Sequence, residues 1–340
     1  MLITPSSIAS NTDGTILYVG SSAGVYKSIN SGIDWTFLPI VGAQSQSVNS
    51  VTCSTDGTKV TVSTNIQRYR VSLDSGNNWI ENTSFSGMRG KHCASADGVI
   101  VYVWSAKLSN YGLTFDTWLP FFTAGSNPGF YQPSTSANGQ IVLVDGDSTQ
   151  ISTTGGVSWN LCGPYIADQK SRGTKMSADG SRLFAKFTYF GDSNYSVGWY
   201  ISTNSGAEWS FLTSVINIVA INYDGTKLLG IGGVYNDTIF TSTNSGTSWT
   251  EQSFRLFDNT RSLYFHVVDA TTSPDGSKMA IIDSQGQVYM SNNFGVDWTT
   301  AFPFPTPVPS YYSYYSAIKL RCRTVFNSSV KFLDPLRYNL

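Results

Sequence analysis

Glutamate is nearly missing from this chain: Glu81, Glu208 and Glu251 stand against 19 aspartates. Aspartate favours turns and glutamate favours helices, so the imbalance points away from a helical protein. Histidine is equally scarce. His92 and His266 alone exclude a histidine-rich metal site and leave a Ser-His-Asp triad little to draw on. Charged residues form 13% of the chain, about half the usual ~25%. The net charge of −1 offers no global field to recruit nucleic acid. No apolar run approaches the roughly 18 residues that cross a bilayer, so no membrane span is expected. Cys53, Cys93, Cys162 and Cys322 show neither a CxxC pair nor disulfide-scaffold spacing, and read as buried free thiols. The opening MLITPSSIAS lacks a basic n-region and an apolar h-region, so no signal peptide is expected. No GxGxxG or P-loop lies between a strand and a helix, and no cofactor is expected.

What is present in excess is aromatic residues, at 14%, alongside Ser, Thr, Asn and Gly. They fall in register. SINSGIDW (28–35), SLDSGNNW (72–79), STTGGVSW (152–159), STNSGAEW (202–209), STNSGTSW (242–249) and SNNFGVDW (291–298) hold six of the nine tryptophans. Each places Ser seven residues before Trp and Gly three before, usually with Asn or Asp five before. The recurring positions are Ser28, Asn30, Gly32, Trp35; Ser72, Asp74, Gly76, Trp79; Ser152, Gly156, Trp159; Ser202, Asn204, Gly206, Trp209; Ser242, Asn244, Gly246, Trp249; and Ser291, Asn293, Gly295, Trp298. LSNYGLTF (108–115) is a degenerate copy with Asn110, Gly112 and Phe115, carrying Leu108 where the others have Ser.

A second repeat interleaves with the first. Asp-Gly begins at Asp13, Asp56, Asp97, Asp179, Asp224 and Asp275, and Asn138-Gly139 fills the remaining gap. Such dipeptides between alternating apolar residues are strong hairpin signals. From Trp35 to Trp298 the motif recurs every ~44 residues, the length of a four-stranded propeller blade. In blade two, 48–54, 59–65, 68–74 and 79–82 read as four short strands rich in β-branched residues. The expected fold is all-β: a seven-bladed β-propeller of four-stranded antiparallel blades with a C-terminal extension. The blades are placed at about 1–40, 41–84, 85–122, 123–162, 163–213, 214–254 and 255–302, with a Pro/Tyr-rich tail at 303–340.

The Trp-containing repeat resembles the BNR/Asp-box of sialidases, sortilin-type receptors, two-propeller glucanases and photosystem II assembly propellers, over residues 1–302. The resemblance implies the fold. It implies little about function, because these families do unrelated things. Physically the box is a turn between third and fourth strands, with Ser and Asn or Asp holding backbone N–H groups, Gly giving a shape a Cβ forbids, and Trp packing between blades.

A sialidase resemblance implies an arginine triad, a Tyr nucleophile with an activating Glu, an Asp acid/base and an N-terminal Arg-Ile-Pro element. Residues 1–40 contain no arginine. All three glutamates lie on or beside predicted outer strands, away from the channel. Asp168, Asp192, Asp237 and Asp258 lie outside the repeat positions, but no catalytic set is assembled, and the reading leans against an enzyme. His92, beside Cys93 on an inner strand, reads as packing.

Boxes and Asp-Gly turns share one face. The loops of the other face carry Arg68, Arg70, Arg89, Lys91, Lys170, Arg172, Arg255 and Arg261, read as an anion-attracting rim for a carboxylate, phosphate or acidic partner. The tail carries Pro at alternate positions in 303–309, YYSYYS at 311–316 and the basic KLRCRTVF at 319–326. It reads either as packing on the propeller or as an arm that docks elsewhere. The expected function is a non-catalytic binding or scaffold propeller with a glycan or protein partner, favouring an extracellular or virion surface. The alternatives are a sialidase-like glycoside hydrolase with a diverged site and an intracellular assembly factor.

Overall fold

The computed structural model describes residues 3–40, 47–65, 69–82, 91–103, 106–118, 133–146, 149–164, 170–189, 196–233, 238–256 and 266–301. The chain divides into two units, Thr4–Phe304 and Met1–Ile3 with Pro305–Leu340. The description concerns the first; the 303–340 tail and Cys322 lie outside the described residues.

Short strands with β-branched and aromatic residues pair with their sequence neighbours and form seven four-stranded antiparallel sheets. Blade one consists of Pro5–Ser10, Leu17–Ser21, Gly24–Ser28 and Thr36–Leu38. The other sheets span 48–82, 92–118, 133–161, 170–213, 217–255 and 267–301. This is a seven-bladed β-propeller. Its second and third strands are buried on both faces, as in Val60–Thr64 and Tyr69–Ser72 of blade two, because each blade is sandwiched between neighbours. The core is therefore a series of clusters between blades. Tyr18, Val25 and Leu38 of blade one meet Val51, Val60 and Val62 of blade two, with Trp79 packed against them.

Two side-chain devices shape the turns. In the first, Ser242 Oγ accepts the Gly246 N–H at 2.9 Å and donates to Asn244 Oδ1 at 3.0 Å, and Asn244 Oδ1 accepts the Ser248 N–H at 2.9 Å. The same bonds recur from Ser28, Ser72, Ser202 and Ser291. Thr154 stands in for Asn in the 152–159 copy. Two consecutive left-handed residues close the turn, such as Ser75 at φ 62° and Gly76 at φ 89°. A Cβ on Gly76 would also run into Leu38 Cδ1 of blade one, so glycine is demanded twice there. The indole N–H groups of Trp35, Trp159, Trp209 and Trp298 donate to the box glycine carbonyl at 2.8–3.0 Å.

In the second device the residue two before the Asp is a buried Ser or Asn. Ser177 Oγ accepts the Arg182 N–H at 2.9 Å, while Asp179 Oδ1 accepts the Ser181 N–H at 2.9 Å. Between these two residues sits the bond donor that links the blades. Thr12 N–H donates to Thr55 O, Thr55 to Ala96, Ala96 to Ala137, Ala137 to Ala178, Ala178 to Tyr223 and Tyr223 to Pro274, at 2.6–2.9 Å. In blades one to four, six and seven the box in turn bonds to its own blade's Asp-Gly turn, as Ser245 N–H does to Thr226 O at 2.8 Å. Both turn sets thus lie on one face.

The degenerate copy departs where its residues do. Phe115 has no indole N–H, and the Gly112 carbonyl takes Asn82 Nδ2 of blade two at 2.7 Å instead. Asn110 and Tyr111 both take left-handed φ, 49° and 60°, and Leu108 is fully buried.

Replacing Ser242 with Ala removes a buried acceptor and donor together. Urea unfolding of Ser242→Ala should show a loss of roughly 1–3 kcal/mol with an unchanged m-value.

Candidate functional site

On the box face the polar side chains are committed to turn geometry. Hydrogen bonds from Asn78 hold Asp74 down to about 2, and those from Ser273 and Ser277 do the same for Asp275. These carboxylates stay ionised as acceptors of backbone N–H groups.

The opposite face collects the starts of the inner strands, and the predicted rim resolves unevenly there. Arg68, Arg89 and Arg261 lie outside the described residues. Lys170 opens the inner strand of blade five, Lys170–Met176, and Arg255 ends the outer strand of blade six, Thr250–Arg255. Lys91 is half-buried just ahead of His92–Ala94. Arg172 donates from Nη1 to Ser171 O at 2.9 Å. Arg70 does not reach a rim. It lies inside Tyr69–Ser72, 2% exposed, with Nη2 bonded to Glu81 Oε2 at 2.6 Å. Residues 70 and 81 are cross-strand partners, so strand pairing rather than loop placement decides where this guanidinium goes. Asn82, the first residue of a glycosylation sequon, is buried and serves Gly112. The other Asn-x-Ser/Thr sequons of the sequence, at Asn194, Asn236 and Asn327, like Asp168, Asp192, Asp237 and Asp258, lie outside the described residues.

Lys175, absent from the sequence-derived rim, joins Lys91 in the structure. Burial lowers its ammonium pKa, the Asp269 carboxylate opposes that shift, and Lys91 adds to it. The three charges belong to blades five, three and seven and share the central channel. Asp269 spends its oxygens on the N–H groups of Ile8, at 3.1 Å, and Ala270, at 3.0 Å. Beside Arg172, the Gly173 N–H donates to buried Asp145 Oδ2 at 2.6 Å, and Gly173 takes φ 112° where the strand register shifts. Farther along the same side, Lys186 Nζ and Trp199 Nε1 both donate to Asn217 Oδ1, at 3.2 and 3.3 Å. Val197 and Val215 stand exposed close by in sequence. The arrangement holds cations and apolar contacts. Burial raises the thiols of Cys53 and Cys162 to about 12, which removes them as nucleophiles. Among the described residues, no three His, Cys, Asp or Glu side chains cluster to hold a metal, and no helix is long and apolar enough to cross a membrane.

His92 is buried, with Nε2 at 3.0 Å from Thr61 Oγ1 and its ring edge-on to Tyr69. Burial holds it at about 4, below the ~6.5 of a free imidazole. A depressed folded pKa means that stability is complete above pH ~6.5 and declines as the pH falls toward 4. Chemical unfolding from pH 7 to 5 should show this decline, and His92→Gln should flatten it in that window. The turn aspartates, held low in the fold, add their own loss from about pH 5 downward.

No family model and no curated protein sequence matches the chain. Solved structures do match the fold. A GH74 enzyme of Niastella koreensis aligns with TM-score 0.63 and 15% identity over 88% of this chain and 54% of its own. An ancestral GH74 enzyme gives TM-score 0.63 and 15% identity over 91% and 48%. YCF48 bound to D1 peptide gives TM-score 0.61 and 15% identity over 86% and 94%. The chain therefore spans about half the length of the two GH74 enzymes and nearly the whole of YCF48. At this identity the likeness concerns the fold.

Proposed function

We propose that this chain is a non-catalytic binding propeller whose face opposite the boxes takes up a negatively charged segment of a protein partner. One observation carries the reading: the box face commits its polar groups to turns, while Lys91, Arg172, Lys175 and Lys186 gather on the channel and the other face. Arg68, Arg89, Lys170, Arg255 and Arg261 belong to the proposed rim by their sequence positions. A protein partner is favoured over a glycan because the likeness to a peptide-bound YCF48 extends over nearly that whole chain. The 303–340 tail, with its alternating prolines and paired tyrosines, is proposed to attach the propeller to a larger assembly.

The test titrates the full chain with a glutamate-rich peptide, sialylated and sulfated glycans, and neutral counterparts, with a fluorogenic sialoside assayed for turnover. Salt-sensitive binding of the acidic peptide is expected, weakened about tenfold in the double variant Lys91→Ala, Arg172→Ala at unchanged Tm. Preference for an acidic glycan moves the assignment to a lectin. Equal binding of neutral ligands, or sialoside turnover, contradicts the proposal.

A further inference from the structure

Neighbouring blades are joined in two ways everywhere except at one junction. Six junctions have a covalent link from outer to inner strand, and each of these also has the backbone bond between Asp-Gly turns, Thr12 through to Pro274. Blades one and seven are the first and last sheets along the chain, and among the described residues they exchange no strand, so no outer-to-inner strand link joins them. Symmetry would have residue 274 donate to Thr12 O, but that residue is proline and has no N–H. The one position at which the backbone series must close is the one that cannot donate.

Side chains take its place. Ile8 N–H donates to Asp269 Oδ2 at 3.1 Å, Ser10 Oγ meets Thr271 Oγ1 at 2.9 Å, and Lys278 Nζ donates to Asp13 O at 2.6 Å. The last bond is no substitute unique to this junction, because Lys227 makes it to Asp275 O and Arg182 to Asp224 O, at 2.6 and 3.0 Å. A small cavity also opens between the two blades, lined by Ser10, Gly14 and Leu17 on one side and Thr271, Lys278 and Met290 on the other.

We propose that the junction of blades seven and one is a built-in seam, at which the ring opens while the blades themselves stay folded. Pro274 keeps the backbone series open, and Asp269 ties the seam to the channel, since the carboxylate that holds Ile8 also lies in the field of Lys175. Opening frees one wall of the channel without breaking any sheet. The idea stands independently of the acidic-partner reading, because it rests on blade-to-blade contacts alone.

Native-state amide exchange of the full chain tests it. Among the described residues, three amides donate to a side chain of the preceding blade: Ile8 to Asp269, Val51 to Ser7 and Gly173 to Asp145. After correction for intrinsic rates, Ile8 is expected to exchange about tenfold faster than the other two or more, through a sub-global opening. Pro274→Ala, which supplies the missing donor, should slow Ile8 and leave Gly173 unmoved. Equal exchange at the three amides, or a common shift of all three in Pro274→Ala, overturns the seam. A second readout uses paired cysteines in a Cys322→Ser background. An oxidised Ser10→Cys, Thr271→Cys bridge should slow unfolding. A Ser134→Cys, Thr174→Cys bridge across blades four and five, where the hydroxyls lie 3.0 Å apart, should leave the unfolding rate unchanged. Equal slowing by both bridges also contradicts the proposal.

Discussion

Six backbone hydrogen bonds, handed from one Asp-Gly turn to the next around the ring, bind together what sheet formation cannot. Strand pairing completes each blade but ends at its edges, and a propeller has no sheet shared between blades. The blades must then be fixed by side-chain burial between their faces and by bonds that cross from one to another. Burial is non-directional and leaves sliding open; the turn bonds are directional and set the angular register. The glycines depend on the same constraint. Gly180 packs against Ile141 and Gly276 against Lys227 of the preceding blade, so the turn that donates the bond also needs a residue without a Cβ.

Much of this was legible in the chain because its causes are local. Ser, Asn or Asp, and Gly at fixed offsets state a turn within eight residues, and Trp at its end states what the turn packs on. The strands of blade two, read at 48–54, 59–65, 68–74 and 79–82, form at Val48–Cys53, Val60–Thr64, Tyr69–Ser72 and Ile80–Asn82. Even the degenerate copy keeps a turn, because Asn110 and Gly112 accept left-handed φ, while the loss of the indole is met by Asn82 from another blade.

What was illegible depends on partners far away in sequence. Arg70 reads as a loop cation beside Arg68, yet its alternation with Tyr69 and Val71 makes it a strand residue that needs Glu81 opposite. Lys175 carries no local signal at all, since its neighbours in the channel come from two other blades. The blade-to-blade bonds are made by backbone at positions held by Thr, Ala, Tyr and Pro, so side-chain pattern hides all of them except the proline that lacks one. The same separation sorts the polar groups: on one face they serve turns, Arg182, Lys227 and Lys278 included, while Lys91, Arg172, Lys175 and Lys186 lie away from the turns.

The most direct test of the account is NMR detection of scalar couplings across hydrogen bonds in the deuterated full chain, from each turn amide to the carbonyl carbon of the next blade. The account predicts couplings from the amides of Thr12, Thr55, Ala96, Ala137, Ala178 and Tyr223 to the carbonyls they meet in the structure. Amides at these positions that show no coupling and exchange like open turns would contradict it, and would leave burial between blades as the force that holds the ring.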